Sequence, residues 1–412
     1  MRVPADETQP LRFWQATVEF PRQQDGKRVR RFARSKDYDT AVRLLAVLRL
    51  QRAELAERPQ VPITVPPPPP LVPSDSLAAW LRFWLADIVG KEVRPRTAEH
   101  YRLMVRLHIE PVIGHRRLVD VTTLDVREVH EHMRAAGLSE TTVLQGHRVL
   151  AIALKQAHRE GYTNRDVAAL VRPPRRSAPS EVRFSIDDAR SLMAAARGDR
   201  LESRWVAALT TGARQGELLG VELDRVGSVL DLSWQLQRFT WAHGCHGLCG
   251  HKRGAECPER VAPAPAGYER RHLTGALWLT RPKTAAGQRR IPLVEPLRSL
   301  VQERVDAASA ERNPHGLLWT SAASRLPGSP IDPGDDSKAW HRLLAVAGVP
   351  AGPLHQARHV AVDLLYEAGV PEVVAMELIG HSSVAMTRRY RSGASVQLLT
   401  SAMTAASAQL HG

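Results

Sequence analysis

The period of apolar positions changes several times along the chain, and each change marks an element. In FWQATVEF (13–20) apolar residues alternate, as in a half-buried strand. QQDGKR then supplies a turn about Asp25-Gly26, and RVRRFARS (28–35) reads as a second strand with a basic face. From Tyr38 the period is helical, with Ala41, Leu44, Leu45 and Leu48 on one stripe. An unbroken proline run, Pro66–Pro70, lies inside the stretch Pro59–Pro73 and predicts an extended spacer. From Ser76 to about Arg172 helical spacing returns. Leu77, Trp80, Leu81, Trp84 and Leu85 share a stripe, TAEHYRLMVRLHIEPVIG (97–114) breaks at Pro111 and Gly114, and two further helices each close on a glycine. RPPRRSAPS (172–180) is a second connector, and the remainder forms the largest unit. The pattern specifies a mainly α protein with small β-sheets (α+β). Its expected parts are a small sheet-and-helix unit (1–58), a proline-rich linker (59–75), a helical module (76–173) and a mixed α/β domain (181–412) with an insertion at about 243–272.

Charge narrows the partner. The 412 residues carry 57 Lys and Arg against 43 Asp and Glu, a net +14, which points to a polyanion rather than a small neutral substrate. Arg28, Arg30 and Arg34 can share one face of the second strand, so the first unit is expected to present a basic β-ribbon to a DNA groove. No stretch approaches the length of a membrane span, and MRVPADETQP lacks the apolar core of a signal peptide, so no membrane partner is expected. Three cysteines in such a length fit a reducing cytoplasm.

Four segments of the last unit carry catalytic residue types. In TGARQGELLG, Arg214 and Glu217 stand three apart at a helix start, where the carboxylate can hold the guanidinium; an ordinary surface ion pair fits the same spacing. In ALWLTRPKTAAGQRRIPL, Leu277–Thr280 is a strand, Lys283 lies at the tip of a hairpin shaped by Pro282 and Gly287, and Ile291–Leu293 opens the returning strand. In LHQARHVAVDLLYEAG, Ala357, Val360, Ala361, Leu364, Leu365 and Ala368 form the buried stripe, which aims His355 and Arg358 away from the core. Last comes GHSSVAMTRRY, with His381 after a glycine stop and Tyr390 nine residues on, one of only six tyrosines.

In this order, GARQGE, PKTAAGQRRIPL, HQAR and GHSSVAMTRRY resemble the signature of the tyrosine recombinases, the phage-integrase family. The resemblance covers residues 181–400 in detail and the whole chain in layout. It implies that Arg214 and Arg358 clamp the scissile phosphate, that Lys283 protonates the departing 5′-oxygen, and that His355 and His381 serve the active site. Tyr390 would then be the nucleophile, with Glu217 supporting the first arginine. It implies site-specific integration or excision of a mobile element through a 3′-phosphotyrosine intermediate, with no cofactor required for catalysis. The implied partners are double-stranded DNA attachment sites, three further copies of the chain in a homotetramer, a host DNA-bending factor and a directionality factor. The first unit resembles an arm-binding domain and the helical module a SAM-like core-binding domain. The chain departs from the family pattern at Val360, where threonine is common, and at Arg391 and Ser392, where a histidine often follows the nucleophile. Both bear on the finer hydrogen-bond network rather than on groups that transesterification requires. A type IB topoisomerase and a catalytically silent DNA-binding regulator on the same scaffold are the alternatives; His355 ahead of Arg358 and the complete polar set favour the recombinase.

All three cysteines, Cys245, Cys249 and Cys257, fall in the insertion beside His243, His246 and His251. Three thiolates and a histidine would close a tetrahedral zinc site. The C-x₃-C-x₇-C spacing lacks a C-x₂-C knuckle and selects no fourth ligand, so zinc and reduced thiols in a basic loop both stand open. After Tyr390, the stripe Val396, Leu399, Met403 and Ala406 or Leu410 can pack in cis or dock on a neighbouring protomer.

Overall fold

A computed structural model describes residues 13–20, 29–57, 75–177, 183–245, 248–283, 287–322, 327–380 and 396–411. Arg28, the proline run 66–70, His246, His381 and Tyr390 lie outside them. The chain divides into two compact units, residues 1–71 with 241–263, and residues 72–240 with 264–412.

In the first unit β1 (Trp14–Phe20) and β2 (Val29–Ser35) form an antiparallel pair, and α1 (Tyr38–Glu57) follows. The alternation sorts the faces: Ala16, Val18, Phe20 and Ala33 are buried with Ala41 and Leu45 of the helix. Arg30, Phe32 and Arg34 stand on the exposed face, with Phe32 registered opposite Thr17 and Arg34 opposite Gln15.

The second unit begins with helices. α2 (Leu77–Phe83) runs through a π-helical stretch into α3 (Gly90–Glu92). α4 (Pro95–Met104) runs through another into α5 (Glu110–Ile113). The expected break at Pro111 does not occur. The π turn Val105–Ile109 precedes the proline, whose missing N–H it accommodates, and the helical track ends at Gly114. α6 (Thr123–Ala135), capped by Thr122, and α7 (Glu140–Arg159) complete the module. Leu77, Trp80, Leu81 and Trp84 fill its core, and the Trp80 indole donates to the Ala153 carbonyl at 3.0 Å.

Between α6 and α7 two buried imidazoles, His130 and His147, meet at 3.1 Å. Desolvation, then the His147 ring and Arg134, pull His130 down to about 4. The unfolded chain therefore binds this proton between its ordinary value near 6.5 and about 4, and the folded chain does not. Stability is full above pH 6.5 and falls as the pH drops through that window. At ~1.4 kcal/mol per unit, His130 accounts for about 3 kcal/mol. Thermal melts of the full chain from pH 7 to pH 4 are expected to show this acid loss, and His130→Phe to flatten it; an unchanged slope in the variant excludes the pair as its source.

The rest of the second unit is built on α8 (Ile186–Ala196), α9 (Glu202–Thr211) and the short α10 (Gln215–Leu219). Its strands are β3 (Val229–Asp231), β4 (Gln235–Arg238), β7 (Arg270–Thr274), β8 (Leu277–Thr280) and β9 (Arg290–Pro292), while the intervening β5 (Ala242–His243) and β6 (Arg260–Val261) belong to the first unit. The last helices are α11 (Leu297–Ala310), α12 (Pro333–Ala347), α13 (His355–Glu367), α14 (Glu372–Ile379) and α15 (Val396–His411). One hydrophobic core spans these helices and the strands β3, β4, β8 and β9. A fully buried ion pair, Arg204 to Asp336 at 2.9 Å, joins α9 to α12, and Gln215 donates to the same carboxylate at 2.8 Å.

Further expectations change. The hairpin at Lys283 is not one: β8 pairs with β4 and β7, and β9 pairs with β3. Gln235 faces Thr280 and Asp231 faces Arg290, so the connection 281–289 is an excursion that leaves one sheet at β8 and enters another at β9, rather than the tip of a hairpin. The true hairpin is β7–β8, so residues 270–272, assigned to the insertion, are sheet. The C-terminal stripe, which left cis and trans packing open, packs in cis: Leu399, Met403, Ala406 and Leu410 are buried in the main core together with Ala402, Val396 of the expected stripe is exposed, and Arg190 donates to the Gln409 carbonyl at 2.7 Å. Among the described residues no helix is long and apolar enough to cross a membrane. The remaining change concerns Arg358 and shapes the site.

Candidate active site

The TGARQGELLG segment turns from α9 into α10 at Gly212, whose φ is +59°. A Cβ there would lie 2.6 Å from Ile379 Cδ1 and 3.0 Å from Ala361 Cβ, so only glycine lets this turn press against α13 and α14. Gly216 allows an equally close approach of α10 to β4, since its Cβ would lie 2.6 Å from the Leu236 carbonyl oxygen. The side chain of Arg214 projects from the start of α10, 44% exposed, while that of Glu217 is 1% exposed.

Glu217 organises the cluster. Its carboxylate accepts from the Arg214 backbone N–H (2.9 Å), from Arg214 Nη1 (2.7 Å) and from Arg289 Nη2 (3.0 Å). Burial pushes this carboxyl up, but the Arg289 charge and hydrogen bond, with those from Arg214, outweigh it and hold Glu217 below its ordinary value. Arg289 also donates through Nε to the Leu378 carbonyl at 2.7 Å, tying the 281–289 excursion to α14. Arg214 Nη2 reaches the Gly380 carbonyl at 3.5 Å, so the chain leaves α14 beside this guanidinium one residue before His381.

Arg358 does not face away from the core. It is 4% exposed, because the turn at Gly212 covers the first turns of α13 and presents its carbonyl to Arg358 Nη1 at 2.7 Å. Arg358 Nη2 is buried and has no hydrogen-bond partner among the described residues. Desolvation, then the Arg214 and Arg289 charges, pull Arg358 down to about 10 against the opposing effect of Glu217. Three guanidiniums thus surround one carboxylate, and an unsatisfied donor points to a missing acceptor. His355 opens the same helix at the solvent edge. Partial desolvation, then His359, Arg358 and Arg214, lower its basicity, which keeps the imidazole neutral at neutral pH.

Lys283 is exposed on the excursion, in a cleft lined by Arg94, Tyr268, Glu269, Arg281 and Gln288. No contact joins it to the guanidinium cluster among the described residues. Arg94, which precedes α4, holds this loop by donating through Nη2 to the carbonyls of Pro282 (3.3 Å) and Lys283 (3.1 Å). The structure therefore brings together Arg214, Glu217 and Arg358, with His355 at their edge. Sequence reasoning missed Arg289 and Arg94. The alternation in QRRIPL carried a signal for the first, because Arg289 shares its inward face with Ile291 while Arg290 is exposed. Nothing local marked Arg94.

In the insertion, Cys245, Cys249 and Cys257 lie together with His243, their four ligand atoms within 4.8 Å of one another. Val360 is fully buried in the main core.

The family model described as "Phage integrase family" matches residues 271–395, and that of the "Phage integrase, N-terminal SAM-like domain" matches residues 76–134. An integrase of Saccharopolyspora erythraea is 30% identical over 406 residues, covering 92% of this chain and 90% of its own. The fold is similar to that of the Tn1549 transposon integrase in complex with transposon right end DNA (TM-score 0.60, 18% identity, 80% of this chain and 99% of that one). It is also similar to a lambda integrase tetramer bound to a Holliday junction (TM-score 0.53, 16% identity, 92% and 93%). With a relative of this identity matched along nearly all of both sequences, and family models seated on the helical module and the catalytic fold alike, the chain belongs to the phage integrase family of site-specific tyrosine recombinases.

Proposed function

We propose that the guanidinium cluster binds the scissile phosphate of a DNA attachment site and that Tyr390 attacks it. The observation that carries this reading is the buried Nη2 of Arg358, unpartnered among the described residues, beside two further guanidiniums for which Glu217 is the only balancing carboxylate among those residues. A phosphodiester supplies what the cluster lacks, an anion with two non-bridging oxygens. Charge on those oxygens grows as the phenol attacks, so forked bonds from Arg214 and Arg358 strengthen toward the transition state. His355, kept neutral, accepts the phenol proton; Lys283 delivers one to the departing 5′-oxygen; His381 hydrogen-bonds the phosphate. The tyrosine–phosphorus bond replaces the bond to the 5′-oxygen. The 3′-phosphotyrosine retains the energy needed to join a new 5′-hydroxyl, so no nucleotide is consumed. Arg289 is a positioning residue that acts through Glu217 on Arg214.

The layout supports assigning residues 1–58 to arm-type sites, residues 76–173 to core-site binding and residues 181–412 to catalysis. Arg30 and Arg34 flank exposed Phe32 on the outer face of the β-ribbon; Arg28, the third member of the expected basic set, lies outside the described residues. The lambda integrase tetramer on a Holliday junction supports a homotetramer on two DNA partners, which exchanges strands to integrate or excise a mobile element in the cytoplasm. Tyrosine recombinases need no cofactor for this chemistry, and a zinc ion in the insertion would be structural.

A suicide substrate carrying the element's own core site, with a bridging phosphorothiolate at the cleavage position, tests the reading. A denaturant-resistant adduct is expected, its DNA attached to the peptide containing Tyr390. Attachment at any other residue removes Tyr390 as nucleophile, and no adduct on a core site that the protein binds removes the transesterification reading.

A further inference from the structure

The β5–β6 hairpin pairs Ala242 with Val261 and His243 with Arg260, only two residues on each side. So short a ladder is not stable alone in water. Among the described residues of 241–263 the buried apolar side chains are only Cys245, Cys257 and Ala262, and neither hydrophobic core includes them. Something other than apolar burial must hold this segment.

The four potential ligands come from both arms. His243 sits on β5 and Cys245 follows it. Cys249 lies just past the turn that the Leu248 N–H closes on the Cys245 carbonyl at 3.0 Å, and Cys257 lies three residues before β6, between turns closed on Gly254 (3.1 Å) and by Arg260 (3.2 Å). The Nδ1 atom of His243 lies 3.3 Å from Cys249 Sγ and 3.9 Å from Cys245 Sγ, and Cys257 Sγ lies 3.4 Å from Cys245 Sγ. A disulfide would need sulphurs about 2 Å apart and would strand the third cysteine. Thiol hydrogen bonds are weak and give no reason for four groups to share one centre. Zinc–sulphur bonds of about 2.3 Å and a zinc–nitrogen bond of about 2.0 Å at tetrahedral angles place ligand atoms roughly 3.5–3.8 Å apart; the three close pairs here, at 3.3, 3.4 and 3.9 Å, bracket that spacing, and all four atoms lie within 4.8 Å of one another, so small side-chain shifts bring them onto one ion.

We propose that His243, Cys245, Cys249 and Cys257 bind one structural zinc ion that staples the two arms of the insertion. The soft sulphur donors select zinc over calcium or magnesium. Three thiolates and the dication leave a single negative charge, which Lys252, Arg253 and Arg260 of the same segment offset. With four protein ligands the site is closed to substrate, so the proposal stands independently of the recombinase chemistry.

Full-length protein purified without chelator is expected to hold about one zinc per chain. After removal of the metal, one equivalent of cobalt(II) should restore it with the visible absorption of a tetrahedral site and thiolate charge transfer, and zinc should bleach that spectrum. His243→Ala and Cys257→Ser should each lose at least tenfold in cobalt affinity, whereas His251→Ala should lose none. Trypsin cleavage after Lys252 or Arg253 should quicken in the metal-free protein. Metal-poor protein whose cobalt spectrum is octahedral overturns the site. A His243→Ala protein with unchanged affinity and spectrum overturns the ligand set, and trypsin rates indifferent to metal overturn the staple.

Discussion

Arg358→Met is expected to abolish strand cleavage while making the DNA-free protein more stable. The catalytic loss should reach about a thousandfold or more, because a single aligned donor to a developing oxyanion is worth ~10²–10³ and a guanidinium adds its charge. The stability gain follows from the same burial. A cation whose folded value is drawn down to about 10, well below the ordinary guanidinium range, is charged at a cost at every pH below 10, and only the unfolded chain escapes that cost. The difference corresponds to roughly 3 kcal/mol. Methionine keeps most of the side-chain volume but gives up the bond to the Gly212 carbonyl, worth about 1–2 kcal/mol, so a net gain of about 1–2 kcal/mol should remain. Inorganic phosphate should then raise the melting temperature of the wild type more than that of the variant. A variant that melts lower than the wild type, or responds to phosphate as the wild type does, would show that Arg358 is not a cation held waiting for an anion.

Local signals recovered the elements because most of them bury their own periodic faces. The α13 stripe is buried at Ala357, Val360, Ala361, Leu364 and Leu365, and the β-ribbon alternates as its residues do. Long-range partnership was not legible. The excursion at 281–289 resembles a hairpin tip because proline, glycine and lysine mark turns of either kind, and only the pairing of β9 with β3 distinguishes them. Arg358 is buried by a turn 146 positions earlier, which helical periodicity cannot anticipate. Of the three cations assigned to transition-state work, Arg214 and Lys283 prove exposed. The buried companion is Arg289, whose neighbour in sequence, Arg290, is an ordinary surface residue. For the insertion, spacing supplied three ligands, and pairing β5 with β6 supplies His243 as the fourth.

Glu217→Gln removes the negative charge on which the cluster depends, and the expected result is loss of both stability and cleavage by separable routes. The amide can still accept from the Arg214 backbone, but three guanidiniums then lack the carboxylate that balances them, and breaking a buried pair on one side costs about 3–5 kcal/mol. Because Glu217 titrates below its ordinary value when folded, its contribution is present above about pH 4.5 and lost as the pH falls through the folded value. Wild type and variant should therefore converge in acid. Cleavage should fall about a hundredfold even at temperatures where the variant is folded, because an unanchored Arg214 is displaced from the phosphate. Adding Arg289→Met removes the cation that faces the lost carboxylate, and the double variant should recover at least half of the stability. It should recover none of the cleavage, since Arg214 is still held only through an amide. If the double variant regains cleavage along with stability, Glu217 serves the fold alone, and the proposed line of action from Arg289 through Glu217 to Arg214 does not exist.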